Sequence, residues 1–235
     1  MKAFIDLHCH TSASFDSLAS PESVVKAAAK RGLTHLAITD HDKIDGALRG
    51  RDAAPDGLMV IVGEEVKTAD GDLIALFLER AVPPGRSARA TIEAVRAQGG
   101  LVGIPHPFDT FRGSMLKNPG LEAMGQLVDW VEAHNARVVG GSGNERAAAF
   151  ARELGLPGVA ASDAHSVLEV GVAYNVVEGD PSTPEGLLAA LQRIEIVPGR
   201  ASYIVRALTP ISKLVNRARG NTRVPWSPAD DAADA

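Results

Sequence analysis

The sequence predicts an α/β fold in which parallel strands alternate with helices. Eight apolar runs of strand length are separated by segments with helical patterning. Polar clusters rich in histidine, aspartate and glutamate recur where these apolar runs end. Because strand–helix alternation is the pattern of βαβ units, we expect the strands to form a parallel sheet with helices packed against it.

Each strand is predicted from an apolar run, and each helix from a capping residue and a glycine stop. The first helix begins after Ser20, with Pro21 at its first helical position, and ends at Gly32. Further helices are predicted from Ser87 to Gly99, over Asn144–Leu154 and over Pro184–Arg193. The predicted strands are Ala3–His8, Thr34–Thr39, Leu58–Val62, Leu73–Leu78, Leu101–Pro105, Trp130–His134, Gly158–Ser162 and Val172–Val177.

Such units either close into a barrel or form an open sheet, and the polar clusters favour a barrel. They occur at strand ends from residue 8 to residue 165. The carboxyl ends of many barrel strands share one face, whereas an open sheet gathers its site near one switch point. We expect one domain over residues 1–200, a helical extension over 201–219 and a disordered tail over 220–235.

Composition limits the classes of function. The formal charge of −5 over 235 residues argues against a broad nucleic-acid surface but permits a small anionic substrate beside bound divalent metals. The basic run from Arg206 to Arg223 is typical of a solvated helix more than of a partner contact. The single cysteine and the absence of a signal peptide or of an apolar run near ~20 residues predict a cytoplasmic protein with no membrane contact.

The first polar cluster is the segment that begins at Asp6. His8 and His10 are two residues apart on a predicted strand, so both imidazoles point to the same face, while Cys9 points the other way and packs. Imidazoles with a nearby carboxylate suit zinc, manganese or iron. Taken alone, the pair is equally consistent with two histidines that have only a structural role.

Five further clusters make a metal site the better interpretation. Buried charges cost several kcal/mol each unless they are paired or bind a metal, and one metal centre would stabilise all of them together. Strand alternation leaves open which of two adjacent glutamates points inward. The clusters are Thr39-Asp40-His41-Asp42, Gly63-Glu64-Glu65, Pro105-His106-Pro107, Glu132-Ala133-His134-Asn135 and Ser162-Asp163-Ala164-His165.

In order and spacing these motifs resemble the PHP (polymerase and histidinol phosphatase) superfamily over roughly residues 4 to 200. The resemblance implies a distorted (β/α)7 barrel that binds two or three divalent metal ions: zinc, manganese or iron, with magnesium as an alternative. It implies His134 as the ligand of the fifth cluster, with Asn135 or Glu132 as alternatives, whereas His35 matches no motif and is expected to be structural. The ligands implied are His8, His10, Asp16, His41, Glu65, His106, His134, Asp163 and His165.

The resemblance also implies a hydrolase, a metal-dependent phosphoesterase. A metal-bound hydroxide held by Glu65, Asp163 and His106 is expected to attack phosphorus in a phosphomonoester or phosphodiester. Arg112 and Arg137 each follow a ligand cluster closely, and a guanidinium fork suits phosphate, so both are predicted to bind the substrate. Lys43 is a weaker candidate.

The expected partner is a small phosphorylated metabolite or a nucleotide. The alternatives are an exonuclease on short oligonucleotides, a histidinol-phosphate phosphatase, and a non-catalytic module stabilised by its metals. Few aromatic residues lie near the motifs, which counts against stacking of nucleic-acid bases; the nearest are Phe108, Phe111 and Trp130. The oligomeric state is left open.

Overall fold

The computed structural model describes residues 1–109, 124–138, 142–202, 205 and 208–223. Within these ranges one nine-stranded sheet curves into a nearly closed barrel, with the spatial order β7-β6-β5-β4-β3-β2-β1-β8-β9. The predicted α/β barrel is thereby confirmed. The strands are β1 Lys2–Asp6, β2 His35–Ile38, β3 Met59–Lys67, β4 Asp72–Leu76, β5 Leu101–Ile104, β6 Trp130–Asn135, β7 Gly158–Ala161, β8 Tyr174–Glu178 and β9 Ile194–Val197.

Two helices begin directly after the predicted capping residues Ser20 and Ser87, whereas Asp45–Asp52 forms a helix that was not predicted and has no side-chain cap. The Ser20 hydroxyl accepts a hydrogen bond from the Ser23 amide, and Gly155 ends the fourth helix in the left-handed conformation at φ +67°. No helix in the described ranges is long and apolar enough to cross a bilayer. The helices of eight or more residues there are α1 Pro21–Lys30, α2 Asp45–Asp52, α3 Ala88–Arg96, α4 Gly143–Leu154, α5 Pro184–Leu191 and α6 Leu208–Ala218.

Strand direction departs from the all-parallel expectation. Parallel pairs join β1 to β2, β2 to β3, β5 to β6 and β6 to β7, but β4 is antiparallel to both of its neighbours and β8 to both of its own. Only residues 68–71 connect β3 to β4, and so short a connection permits a hairpin but no parallel crossover.

The chain just after β1 meets the chain just after β7, and this contact brings distant motifs together. The His10 amide donates to the Ala164 carbonyl at 2.8 Å, and the Asp163 amide donates to the His8 carbonyl at 2.9 Å. Two motifs more than 150 residues apart therefore lie side by side at the carboxyl ends of their strands.

Residue alternation along β3 decides which glutamate enters the barrel. Ile61 belongs to the apolar cluster inside the sheet, with Trp130 and the α5 residue Leu187, whereas the neighbours of Ile61 pack toward the outer helices. Glu65 shares the inward parity of Ile61, and Glu64 points outward, where it accepts a hydrogen bond from the Val82 amide.

Candidate metal centre

All of the predicted ligands except His134 converge at the carboxyl end of the barrel. They come from the ends of five strands and from the loop after β1, and every one of them is buried. Their nitrogen and oxygen atoms form three overlapping groups within which all ligand atoms lie within 4.8 Å of one another: His10, Asp16, His41 and His165; His8, His106 and Asp163; and His8, His10 and Glu65.

Glu65 occupies the centre of this cluster. One carboxylate oxygen, Oε2, lies 3.3 Å from the Nε2 atoms of both His8 and His10 and 3.1 Å from the Nδ1 atom of His41. The other oxygen, Oε1, lies 3.2 Å from the Nε2 atom of His106. This carboxylate contacts four imidazoles and would be within reach of any metal ion that they bind.

Two of the predicted ligands are held in an unfavourable backbone conformation. His106 has φ +27° and Asp163 has φ +51°, a region that residues with a β-carbon seldom occupy. Such strain costs on the order of 1–3 kcal/mol per residue and persists where surrounding structure requires it, most often at functional sites. His106 thereby contacts Glu65, and an Asp163 carboxylate oxygen lies 3.5 Å from the Nε2 atom of His10.

Hydrogen bonds outside the cluster orient its imidazoles. The Nδ1 atom of His8 lies 2.7 Å from a Glu132 carboxylate oxygen, and the Nδ1 atom of His165 lies 2.9 Å from the Asp163 carbonyl oxygen. Both oxygens accept hydrogen bonds only, so each Nδ1 carries a proton, and the neutral form of each ring has its lone pair on Nε2, toward the cluster. This arrangement is typical of histidines that bind metals.

A serine fixes the third imidazole in the same way. The Ser14 hydroxyl donates its one proton to Asp40 at 2.9 Å, so its oxygen accepts from the Nδ1 atom of His10 at 3.1 Å and from the His41 amide at 3.0 Å. Asp40 also accepts from the hydroxyl and the amide of Thr11, at 2.6 Å each. Asp40 therefore organises the loop from a position outside the cluster.

The histidine pair at the centre would repel if both rings were neutral. The Nε2 atoms of His8 and His10 lie 2.9 Å apart, each with its lone pair toward the other. Burial favours the neutral form of His8, but Glu132 and Glu65 outweigh it and raise the pKa of His8 to about 10. Burial and the neighbouring imidazoles lower the pKa of His10 well below its ordinary value. A cation between the two nitrogens would take the place of that proton.

The unpartnered atoms of the cluster fit divalent metals. Among the described residues, Asp16 Oδ1 and His106 Nδ1 are buried without a hydrogen-bond partner, although such groups are normally satisfied. Burial opposes ionisation of Asp16, yet His165 and His41 outweigh it and hold the pKa of Asp16 well below its usual range. Imidazole nitrogens and carboxylate oxygens are the donors that zinc, manganese and iron accept.

His134 is turned away from this cluster. Its Nε2 atom lies 2.8 Å from the Gly199 carbonyl oxygen, and its Nδ1 atom faces the Asn144 amide. The pairing of β6 with β7 shifts by one residue between Glu132 and His134, a bulge that sends the two side chains to opposite faces.

The two alternatives for this motif do face the cluster. The second carboxylate oxygen of Glu132 accepts from the His106 amide at 2.9 Å and from the Asn135 side chain at 2.9 Å. The same Asn135 amide group donates to Asp163 at 3.0 Å. The geometry therefore favours Glu132 or Asn135 over His134 at this place in the centre.

Comparisons with known proteins show the family of the chain. A family model described as the PHP domain matches residues 6–106, and one described as PHP-associated matches residues 141–195. The chain belongs to the PHP family. It is 36% identical over 152 residues to an uncharacterised protein of Methanocaldococcus jannaschii, a match that covers 58% of this chain and 82% of the relative.

Two further similarities come from larger proteins. An error-prone DNA polymerase of Cutibacterium acnes is 37% identical over 120 residues, which is 45% of this chain and 11% of the polymerase. A solved two-domain protein of Bacteroides vulgatus, which contains a predicted PHP-like metal-dependent phosphoesterase, superposes with a TM-score of 0.66 at 19% identity. That superposition covers 85% of this chain and 65% of the other, and it shows a shared fold.

A cavity of about 180 Å³ opens over this cluster of imidazoles and carboxylates. Of the two arginines predicted to bind phosphate, Arg112 lies outside the described residues. Arg137 lines the cavity, and its guanidinium donates to Glu169 at 2.6 Å and to the Thr209 hydroxyl at 2.7 Å. Lys43 donates to the Asn221 side chain. A larger cavity of about 680 Å³ lies beside His35 at the opposite end of the barrel, away from the polar cluster.

The C-terminal segment 208–223 forms part of this centre, which sequence reasoning missed. Arg223, in the segment predicted to be a tail, donates to Asp42 at 2.9 Å and to Asp72 at 3.0 Å. Asn216 and Asn221 donate to backbone carbonyls of residues 12–17, the loop that carries Asp16. Two asparagines on an otherwise basic stretch are the only sequence signal for these contacts. Residues 224–235, the rest of the predicted tail, lie outside the described residues.

Proposed function

We propose that this PHP protein is a metal-dependent phosphoesterase that hydrolyses phosphomonoesters or phosphodiesters of small metabolites or nucleotides. The observation that carries the proposal is the convergence of buried imidazoles and carboxylates beside a small polar cavity. The cavity is small compared with the roughly 300–1,000 Å³ of typical ligand pockets. A phosphoryl group suits this space, and the remainder of a metabolite would extend outward.

The proposed ligands fall into three sets, and Glu65 belongs to two of them. Divalent metals at these positions would supply a Lewis acid for the phosphoryl oxygens and a source of hydroxide at neutral pH. The sets are His8, His10, Glu65 and Asp163; His106, Glu65 and either Glu132 or Asn135; and Asp16, His41 and His165.

The chain's own contribution is to hold these groups before the substrate arrives. Glu132 keeps the proton on the Nδ1 atom of His8, and Ser14 does the same for His10, so neither ring has to change tautomer when a cation binds. Arg137 joins the end of β6 to Thr209 on α6 and so positions the cavity wall, from which its guanidinium could also contact a phosphoryl oxygen.

The test compares two histidines at opposite ends of the barrel. Purified protein is assayed with p-nitrophenyl phosphate and bis-p-nitrophenyl phosphate in the presence of manganese or zinc, and again after chelation. The wild type and the control His35→Ala should turn over substrate with added metal, and His41→Ala should lose at least about 100-fold of the rate. No metal-dependent turnover of any phosphoester by the wild type, histidinol phosphate and nucleotides included, would refute the proposal.

A second candidate is an exonuclease acting on short oligonucleotides. The observation that favours it is the similarity of residues in this chain to a segment of an error-prone DNA polymerase. A 5′- or 3′-labelled oligonucleotide distinguishes the two. Processive shortening at a rate above that of p-nitrophenyl ester hydrolysis would favour the nuclease, and metal binding without turnover would indicate a non-catalytic module.

A further inference from the structure

Among the described residues, three cations line the cavity over the metal centre, and two of them already neutralise carboxylates. The guanidinium of Arg137 is paired with Glu169 at 2.6 Å. That of Arg223 is paired with two aspartates, at 2.9 and 3.0 Å. The third cation is Lys213, on the exposed side of α6, and no carboxylate of the described residues lies within ion-pair distance of its ammonium group.

An aromatic contact holds Lys213 over the cavity. Its ammonium nitrogen lies 5.3 Å from the centre of the Phe15 ring, a cation–π distance that contributes roughly 0.5–1 kcal/mol at an exposed site. The other neighbour of Phe15 is His41, with ring centres 5.0 Å apart. Phe15 therefore contacts both the ammonium group of Lys213 and the ring of a proposed metal ligand.

Two residues on the same face of α6 line the cavity. Thr209 and Lys213 are four residues apart, so they lie one above the other on the helix surface, and both line the cavity. Thr209 is held from below by Arg137. The helix thus presents a hydroxyl and an ammonium group, one turn apart, to the cavity that Asp16 also lines.

The geometry points to Lys213 as a substrate-binding residue, a cation at the mouth of the cavity that binds the phosphoryl oxygens of the substrate. This inference rests on the proposed phosphoesterase function and names one of its binding groups. The carboxylates around the cavity would repel an anion, and metals beneath them would compensate that charge only at the cavity floor. An entering anion can pair with Lys213, because its ammonium group, alone among the three cations, has no carboxylate within ion-pair distance among the described residues.

The experiment compares Lys213→Ala, Lys213→Arg and the control Arg217→Ala, one turn further along α6 and away from the cavity. For p-nitrophenyl phosphate with manganese, Lys213→Ala should raise both KM and the inhibition constant of inorganic phosphate about 10-fold or more, the loss expected for one charged hydrogen bond. The kcat should change less than about 2-fold. Lys213→Arg should recover most of the affinity, and metal content should stay equal in all variants.

Binding of inorganic phosphate to the manganese-loaded protein, measured by titration calorimetry, separates this inference from the proposed function. If the wild type hydrolyses nothing, the proposed function fails, and phosphate binding still decides the role of Lys213. Weaker phosphate binding by Lys213→Ala than by Arg217→Ala supports it. Equal binding by the two variants, equal KM values, or a wild type that does not bind phosphate overturns it.

Discussion

Removing the side chain of Asn216 tests whether the C-terminal helix holds the loop of Asp16 in place. The Asn216 side chain is 3% exposed, and its amide donates to the carbonyls of Ser14 at 3.2 Å and of Ser17 at 2.8 Å. Both bonds bridge about 200 residues of chain. We therefore expect Asn216→Ala to destabilise the protein and to weaken metal binding at Asp16.

The size of the destabilisation depends on which hydrogen bonds the two carbonyl groups retain in the variant. The Ser14 carbonyl retains a hydrogen bond from Asn221, so losing the bond from Asn216 lowers the free energy of unfolding by about 0.5–1 kcal/mol. The Ser17 carbonyl keeps no other partner among the described residues, and an unsatisfied buried group costs about 1–3 kcal/mol. A total near 2 kcal/mol lowers the melting temperature by about 4–8 °C in a chain of this size.

Thermal unfolding and metal titration of Asn216→Ala and Asn216→Asp measure this effect. The aspartate variant keeps the size of the side chain but replaces the donor with an oxygen that faces two carbonyls. Its melting temperature should therefore fall at least as far as that of the alanine variant. A melting temperature for Asn216→Asp equal to that of the wild type would refute the hydrogen-bond argument and leave packing as the only role of Asn216.

Three other predictions concern the centre itself. Glu132→Gln removes the charge beside His8 and should weaken metal affinity about 10- to 100-fold in a chelator competition, with an unchanged circular dichroism spectrum; unchanged affinity would contradict the orienting role. Gly46→Ala places a methyl group against Asp40 and Thr11 and should cost about 1–3 kcal/mol in denaturant unfolding, a cost that would be absent if that space can open. Chelation should lower the melting temperature, and manganese or zinc should restore it, since ligands that bind only the folded state stabilise it; a melting temperature insensitive to chelator would count against a resident metal.

Much of the centre is predictable because its ligands lie in short motifs at strand ends. The two histidines after β1 and the Asp163 motif after β7 meet because carboxyl ends of barrel strands share one face, a rule that needs no knowledge of side-chain packing. The inward direction of Glu65 follows from alternation along β3 once Ile61 is known to lie inside. The first inference needs only the fold class, whereas the second needs the inward position of Ile61, which the structure supplies.

The remaining features depend on contacts that leave no local mark in the sequence. The bulge between Glu132 and His134 sends their side chains to opposite faces, whereas regular alternation along β6 would place both on one face. The hairpin of β3 and β4 follows from the short connection between them. The predicted strand ended at Val62 and not at Lys67, so the predicted connection was long enough for a parallel crossover. The contacts of α6 with residues 12–17 join segments about 200 residues apart, and helical periodicity identifies a helix but not its partner.

The bridge between Asn216 and Ser14 also sets an order of events during translation. Ser14 leaves the ribosome 202 residues before Asn216. At about 5–20 residues per second this interval lasts roughly 10–40 s. Throughout it the loop of Asp16 has no hydrogen bonds from α6, and Phe15 has no lysine above it. The barrel strands and their histidines are already synthesised by then, so the mouth of the cavity is the last part of the centre to be built.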